Sequence, residues 1–354
     1  MPKRKITNKN SNLIKLIIKL LFSPLLIGRW GWRKNKKVMI IVGLIIICVA
    51  YFGYPYLGEV IDSQVLSIAT QELQSEVTSN LGVNTNDFVN ILDYNESEIL
   101  TTDIHEKLKV HFIDVGQADS ILIQTANNKN MLIDAGNNND SELVCSYLSQ
   151  NNVKKLDVLV GTHLHEDHIG GMDAVIDNFD IGNIYMPKDS TTTKTFRDVL
   201  TSMQNKGLKS KYVKAGDFIS FDNIDIEVLN PIKDNYSNRN GYSIVLKMDY
   251  GNNSFLFTGD AEAENEKDIL SKNYNIDVDV LKVGHHGSDT SSTEAFLKAV
   301  SPEYAIIMVG DNNYGHPNNV VLDRLDSLGA QIYRTDKEGT IVMVSDGNFI
   351  EFSE

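Results

Sequence analysis

From Lys107 onward, short apolar runs rich in β-type residues alternate with stretches whose apolar positions recur at helical spacing. KVHFIDVG, DSILIQT and NMLIDAG, broken by Gly and Asn, predict consecutive strands of a mixed sheet. Further strands are expected at LDVLVGTH, Phe218–Phe221, Ile224–Leu229, Ser243–Met248, Ser254–Thr258, Val278–Val283, Ala305–Val309 and Ile341–Val344. Helical spacing marks Ser141–Gln150, Ala174–Phe179, Thr195–Lys206, Ala261–Lys272, Ser292–Ala299 and Val320–Leu328. Sheets interleaved with amphipathic helices should be covered on their outer faces, which predicts an α/β (α+β) architecture. No internal repeat with a solenoid or propeller period is present.

The N-terminal part follows a different pattern. Val38 to Leu57 holds no charged residue over 20 positions, enough to cross the hydrocarbon core of a bilayer. Before it lie 11 Lys/Arg and no acidic residue, leaving 22 basic against 47 acidic residues beyond, a balance of −25. That asymmetry predicts a single span with the N-terminus inside and the C-terminal region outside. A cleaved signal peptide fits less well, since the basic region is long and no small-x-small site follows. Leu13 to Ile27 is apolar but interrupted by Lys15, Lys19 and Pro24, and suits either the inner membrane surface or a disordered basic tail. The expected order is therefore a basic tail (1–37), a transmembrane helix (38–57), a stalk and linker (58–104) and a folded C-terminal domain (105–354). Cys48 lies within the span, so Cys145 alone remains outside and no internal disulfide can form there.

The chemistry is concentrated in Thr162 to Gly171, THLHEDHIGG, at the end of the apolar LDVLV strand. Three imidazoles and a carboxylate so close together are poor core material, because each polar group needs a partner when buried. They are good ligands for Zn²⁺ or a similar borderline metal. His163 and His165 can reach one ion, while Asp167 and His168 can reach a second. Asp260 in the FTGD turn can bridge the two, and His285 in LKVGHHGS can complete the shell of the second. Asp134 in MLIDAG is expected to orient a ligand from behind. His316 in YGHP is a candidate to contact a substrate oxygen or donate a proton, against an ordinary loop His fixed by Pro317. Polar clusters follow strand ends at His163, Asp260, His285 and His316, so these loops should converge on one rim. Two ions held by N and O ligands with open positions suit hydrolysis of a phosphodiester or phosphoester, with ester or amide hydrolysis possible on the same metals.

THLHEDHIGG, MLIDAG, FTGD and LKVGHHGS together resemble the metallo-β-lactamase fold superfamily. HFIDVGQADSILI, NGYSIVL, LKVGHHGSDTSS and VGDNNYGHP narrow the resemblance to the hydrolase domain of the ComEC/Rec2 competence proteins, over roughly Lys107 to Glu354. It implies an αββα sandwich with a dinuclear site at one edge of two facing sheets. It also implies His163, His165, Asp167 and His168 as the HxHxDH ligands, Asp260 as the bridging aspartate and His285 as the late histidine. Asn240, Ser243 and His286 then belong to the surroundings of the site or to substrate. Two departures matter. No His lies between His168 and Asp260, where the superfamily usually has a ligand, so the first ion is left short of one imidazole. One span cannot form a DNA-import pore, so of the family role only the hydrolase carries over.

These readings predict a membrane-anchored, extracytoplasmic hydrolase that binds two divalent ions, Zn²⁺ or Mn²⁺, and cuts a phosphodiester, DNA among the candidates. The −25 balance outside the membrane works against DNA, whose nonspecific binding rests on Lys/Arg neutralising phosphates. A phosphorylcholine-type diester of the cell envelope is the alternative substrate. A surface protein that keeps its metal for folding or partner binding is the alternative of a different class.

Overall fold

The computed structural model describes residues 107–353; the basic tail, apolar span and stalk expected from the sequence lie outside the described residues. Among the described residues, no helix is long and apolar enough to cross a membrane. The chain opens with strands β1 (Leu108–Phe112), β2 (Ile121–Gln124) and β3 (Asn130–Ile133), then helix α1 (Ser141–Gln150) and strand β4 (Lys155–Val160). Short helices α2 (Glu166–Ile169) and α3 (Met172–Asn178) precede β5 (Asp180–Met186), α4 (Lys194–Asn205) and β6 (Ser210–Tyr212). The second half runs β7 (Phe218–Phe221), β8 (Ile224–Asn230), β9 (Val245–Tyr250), β10 (Asn253–Phe257), α5 (Ala263–Leu270) and β11 (Val280–Lys282). It closes with α6 (Glu294–Val300), β12 (Tyr304–Ile307), α7 (Asn319–Ser327), β13 (Gln331–Arg334), α8 (Thr335–Glu338), β14 (Ile341–Ser345) and β15 (Ile350–Phe352).

These strands make two sheets, ordered β15-β14-β1-β2-β3-β4-β5-β6 and β13-β12-β11-β10-β9-β8-β7. The last strands of the chain complete the first sheet: β14 lies antiparallel to β1, with Val110 opposite Met343. Pairing is parallel from β3 to β6 and from β10 to β13, where helices connect the strands, and antiparallel elsewhere.

The period-2 alternation of each strand explains the layering. Val110, Phe112, Ile121, Ile123, Met131 and Val158 of the first sheet meet Leu246, Met248, Phe255, Phe257 and Val280 of the second in one central core. Their neighbours point the other way. Leu122, Leu132 and Leu159 pack under α1, α3 and α4 through Val144, Leu148, Val175 and Val199. Leu256 and Leu281 pack under α5, α6 and α7 through Ile269, Leu297 and Leu325. Strands buried on both faces read as largely apolar runs, which is why LDVLV and SFLF lack a polar face apart from the partly exposed Asp157 and Ser254. The result is a four-layer αββα sandwich.

His111 on β1 is buried, with Nδ1 2.8 Å from the Tyr147 hydroxyl. Burial, helped by Lys109, lowers its pKa to about 4. The unfolded chain takes up this proton near pH 6.5 and the folded one only near 4, so stability should fall as pH drops through that window, by about 3 kcal/mol in all. Denaturant midpoints measured from pH 7 to 4 should therefore fall less steeply in His111→Gln than in the wild type.

A candidate dinuclear metal centre

The loops that leave β3, β4, β10, β11 and β12 gather along one edge of the sandwich. Local sequence sets their shape. After β4 the chain bends through His163, and His165, on extended backbone, takes the N-cap position of α2, so Asp167 and His168 fall within its single turn. The Gly170-Gly171 pair lets this turn sit on the loop after β3. A Cβ at Gly170 would lie 2.2 Å from the Asn137–Asn138 backbone, and one at Gly171 2.4 Å from the Ala135 carbonyl.

His168 is fully buried and held from behind. Its Nδ1 is 2.8 Å from Asp134 Oδ2, and Asp134 also accepts from the Thr162 amide (2.7 Å) and hydroxyl (2.6 Å). A carboxylate beside Nδ1 fixes the proton there and leaves Nε2 facing the site. That Nε2 and Asp260 Oδ1 are both buried without a hydrogen-bond partner, 3.3 Å apart. Asp167 Oδ2 lies 3.7 Å from the same Nε2, and His286 Nε2 lies 3.6 Å from Asp260 Oδ1 and 3.3 Å from Asp167 Oδ2. One donor atom from each of Asp167, His168, Asp260 and His286 thus falls within 4.8 Å of every other.

The resemblance implies His285 in the late-histidine place of this group; the donor atom that stands there is from His286. Its Nδ1 donates to the Met308 carbonyl at 2.9 Å, so Nε2 is the nitrogen left for the site. His285 stands on the other side of Asp260, with Nε2 3.6 Å from Oδ2. His163 Nε2 is 3.9 Å from the same oxygen and 3.0 Å from His165 Nδ1. Two ring nitrogens so close match two ligands of one ion, which sit about 3.3 Å apart when each bond is about 2.0 Å. This second group is wider: no three-donor set from His163, His165 and His285 closes to within 4.8 Å.

Protonation follows from burial and neighbours. Burial, reinforced by His168, holds His163 well below the ordinary imidazole range, and burial lowers His165 too. For His168 burial acts in the same direction, but Asp260, Asp167 and Asp134 outweigh it and hold its pKa well above the usual value. Burial opposes charge on Asp167 and Asp260, yet the surrounding imidazoles keep both carboxyls well below the usual range. A buried pocket this rich in carboxylate is a place for positive charge. Orphaned ligand atoms facing one another, neutral imidazoles at His163 and His165 and ionised carboxylates suit a divalent ion, whose charge would take the place of the proton that the carboxylates hold on His168, so the donor set fits.

Around this set stand the other residues singled out in the sequence. Ser243 Oγ accepts the Asp260 amide hydrogen at 3.2 Å. Asn240 donates through Nδ2 to Glu262 Oε1 at 3.1 Å. His316 lies at the rim, its ring 5.4 Å from that of His285. Burial and then His285 lower its pKa, so it is neutral at neutral pH. The Gln117 amide 3.5 Å from Nδ1 leaves the ring proton on Nε2.

Four contributors escaped the sequence reading. Lys282, on the inner face of β11, is buried and forms an ion pair with buried Asp119, whose Oδ1 lies 3.4 Å from His286 Nδ1. The signal was a lysine inside the apolar run VDVLKV at an inward position. Glu262, held at about 2 chiefly by its hydrogen bond with His285, had none beyond its place two residues after Asp260. Arg239, paired with Asp189 at 3.5 Å, stands close enough to His165 to disfavour its protonation.

Comparison with known proteins gives the family. A family model described as the metallo-beta-lactamase superfamily matches residues 113–311, and the chain belongs to that superfamily. It is similar to ComE operon protein 3 of Bacillus subtilis, at 32% identity over 251 residues, covering 66% of this chain and 32% of that protein. Competence protein ComA of Neisseria gonorrhoeae is 34% identical over 233 residues, covering 64% of this chain and 31% of that protein. The chain thus spans about a third of the length of these relatives. Among solved structures, the metallo-beta-lactamase fold protein YhfI of Bacillus subtilis aligns with a TM-score of 0.48 at 14% identity, over 68% of this chain and all of that one.

Proposed function

We propose that the chain is a membrane-anchored hydrolase that uses two divalent ions, Zn²⁺ or Mn²⁺, to cut phosphodiesters on the outer side of the membrane. The observation that carries this reading is the pair of unpartnered buried atoms, His168 Nε2 and Asp260 Oδ1, at the centre of the four-donor set. His163 and His165 would hold one ion, Asp167, His168 and His286 the other, and Asp260 would bridge them. When bound, such a pair supplies activated water and a clamp on the substrate oxygens.

The chain's own residues do the rest. Asp134 and Met308 fix the tautomers of His168 and His286 and so aim their Nε2 atoms. Ser243 holds the backbone that carries Asp260. His316, neutral and with its proton on Nε2, donates a hydrogen bond to a phosphoryl oxygen at the rim, and Arg239 offers a cation beside His165. Residues 38–57 would serve as the anchor and residues 105–354 as the hydrolase domain. The competence proteins among its relatives support nucleic acid as substrate. The acidic balance of the outer region favours a smaller envelope diester of the phosphorylcholine type.

A substrate panel separates these. The metal-loaded full-length chain in detergent should hydrolyse bis-p-nitrophenyl phosphate and single- or double-stranded DNA. Intact DNA together with cleaved p-nitrophenyl phosphorylcholine would move the substrate to the envelope. Two bound ions with no turnover of any diester would leave a metal-binding surface protein and end the enzymatic reading.

A further inference from the structure

His168 is followed by no histidine until His285, so the ion held by His163 and His165 lacks the imidazole usual in this superfamily. The Gly284–Gly287 turn supplies a candidate. His285 (φ 49°, ψ 46°) and His286 (φ 52°, ψ 25°) are both left-handed, a conformation that two successive L residues rarely adopt. It splays the neighbouring rings, whose centroids stand 6.2 Å apart at 61°. His286 then faces Asp260 Oδ1 and Asp167, while His285 faces Asp260 Oδ2, the oxygen that His163 also approaches.

His285 is braced from behind. Its Nδ1 lies 3.3 Å from Glu262 Oε1 and 3.2 Å from the Thr290 hydroxyl. Glu262 in turn accepts from Asn240 (3.1 Å), Asn238 (2.7 Å) and Thr290 (3.1 Å). A carboxylate on Nδ1, itself held by hydrogen bonds, is the arrangement that orients a metal-binding imidazole through Nε2. Two of the residues holding that carboxylate, Asn238 and Asn240, lie in the stretch between His168 and Asp260 where the missing histidine would have been.

We propose that the doubly left-handed turn divides its histidines between the two ions, with His285 as the third imidazole of the ion bound by His163 and His165. This rests on the dinuclear reading above. The test counts ions per chain by mass spectrometry and measures their affinities by chelator competition, on the full-length protein in detergent reloaded with Zn²⁺. The wild type should hold two ions and His285→Ala one. His163→Ala combined with His285→Ala should still hold one, because both serve the same ion, whereas His163→Ala with His286→Ala should lose both. Glu262→Gln, which keeps the side chain but not its charge, should weaken one ion by about 10–100-fold. Two ions of unchanged affinity in His285→Ala, or none in the His163→Ala/His285→Ala pair, overturn the assignment while leaving the dinuclear centre in place. A wild type that never takes up two ions overturns both.

Discussion

Asp167→Ala should lower diester turnover by on the order of 10³-fold while the protein melts within a few degrees of the wild type. The carboxylate is one of four donors in the tighter ion group, and the charge stabilisation such an ion provides is worth several kcal/mol, with about 4 kcal/mol corresponding to that factor. The fold should tolerate the change for a local reason. Asp167 is 31% exposed, and its structural contribution, the carbonyl that accepts from the Asp119 amide at 3.1 Å, belongs to the backbone. Turnover of bis-p-nitrophenyl phosphate and a thermal melt on the same preparation check both halves. An unfolded variant, or one with near-normal turnover, contradicts the role given to Asp167.

Lys282→Met should be the most destabilising single change at the rim. The ammonium is fully buried between the sheets, paired with Asp119 and 3.1 Å from the Gly259 carbonyl. Removing it leaves the Asp119 carboxylate buried without its cation, which typically costs about 3–5 kcal/mol. The guanidinium midpoint should fall accordingly. Lys282→Met combined with Asp119→Leu should recover much of the stability, since apolar replacement of a whole buried pair is often neutral. It should not recover metal affinity, because Asp119 also faces His286. A shift below about 1 kcal/mol in the single variant would mean that water or another group neutralises Asp119.

Much of this was legible in the sequence, for identifiable reasons. LDVLV and SFLF are buried on both faces over most of their length, broken only by the partly exposed Asp157 and Ser254, so they read as apolar runs, and the polar clusters beyond them mark the rim. Period 2 alone does not show β5, β6, β13 and β15. Asp180–Met186 is exposed or half-buried over its first four positions and buried only at Ile184 and Met186, and Ser210–Tyr212 and Ile350–Phe352 are short strands with no fully buried residue. Gln331–Arg334, QIYR, is polar at both ends and half-covered, so tertiary pairing with β12 decides it. At the site, HxHxDH and FTGD identify their residues by type and spacing. The division of labour between His285 and His286 depends on backbone dihedrals that adjacent identical residues cannot reveal. The bracing by Glu262, Asn238 and Asn240 joins segments distant in the chain, and no local pattern announces it.

The most direct measurement is a metal titration of the chelator-stripped full-length chain, followed by initial rates on bis-p-nitrophenyl phosphate. Turnover should be absent without metal, rise with each addition of Zn²⁺ or Mn²⁺ and level off at two equivalents per chain. Full turnover in the stripped protein, or two tightly bound equivalents with no turnover, would contradict a hydrolase built around Asp260.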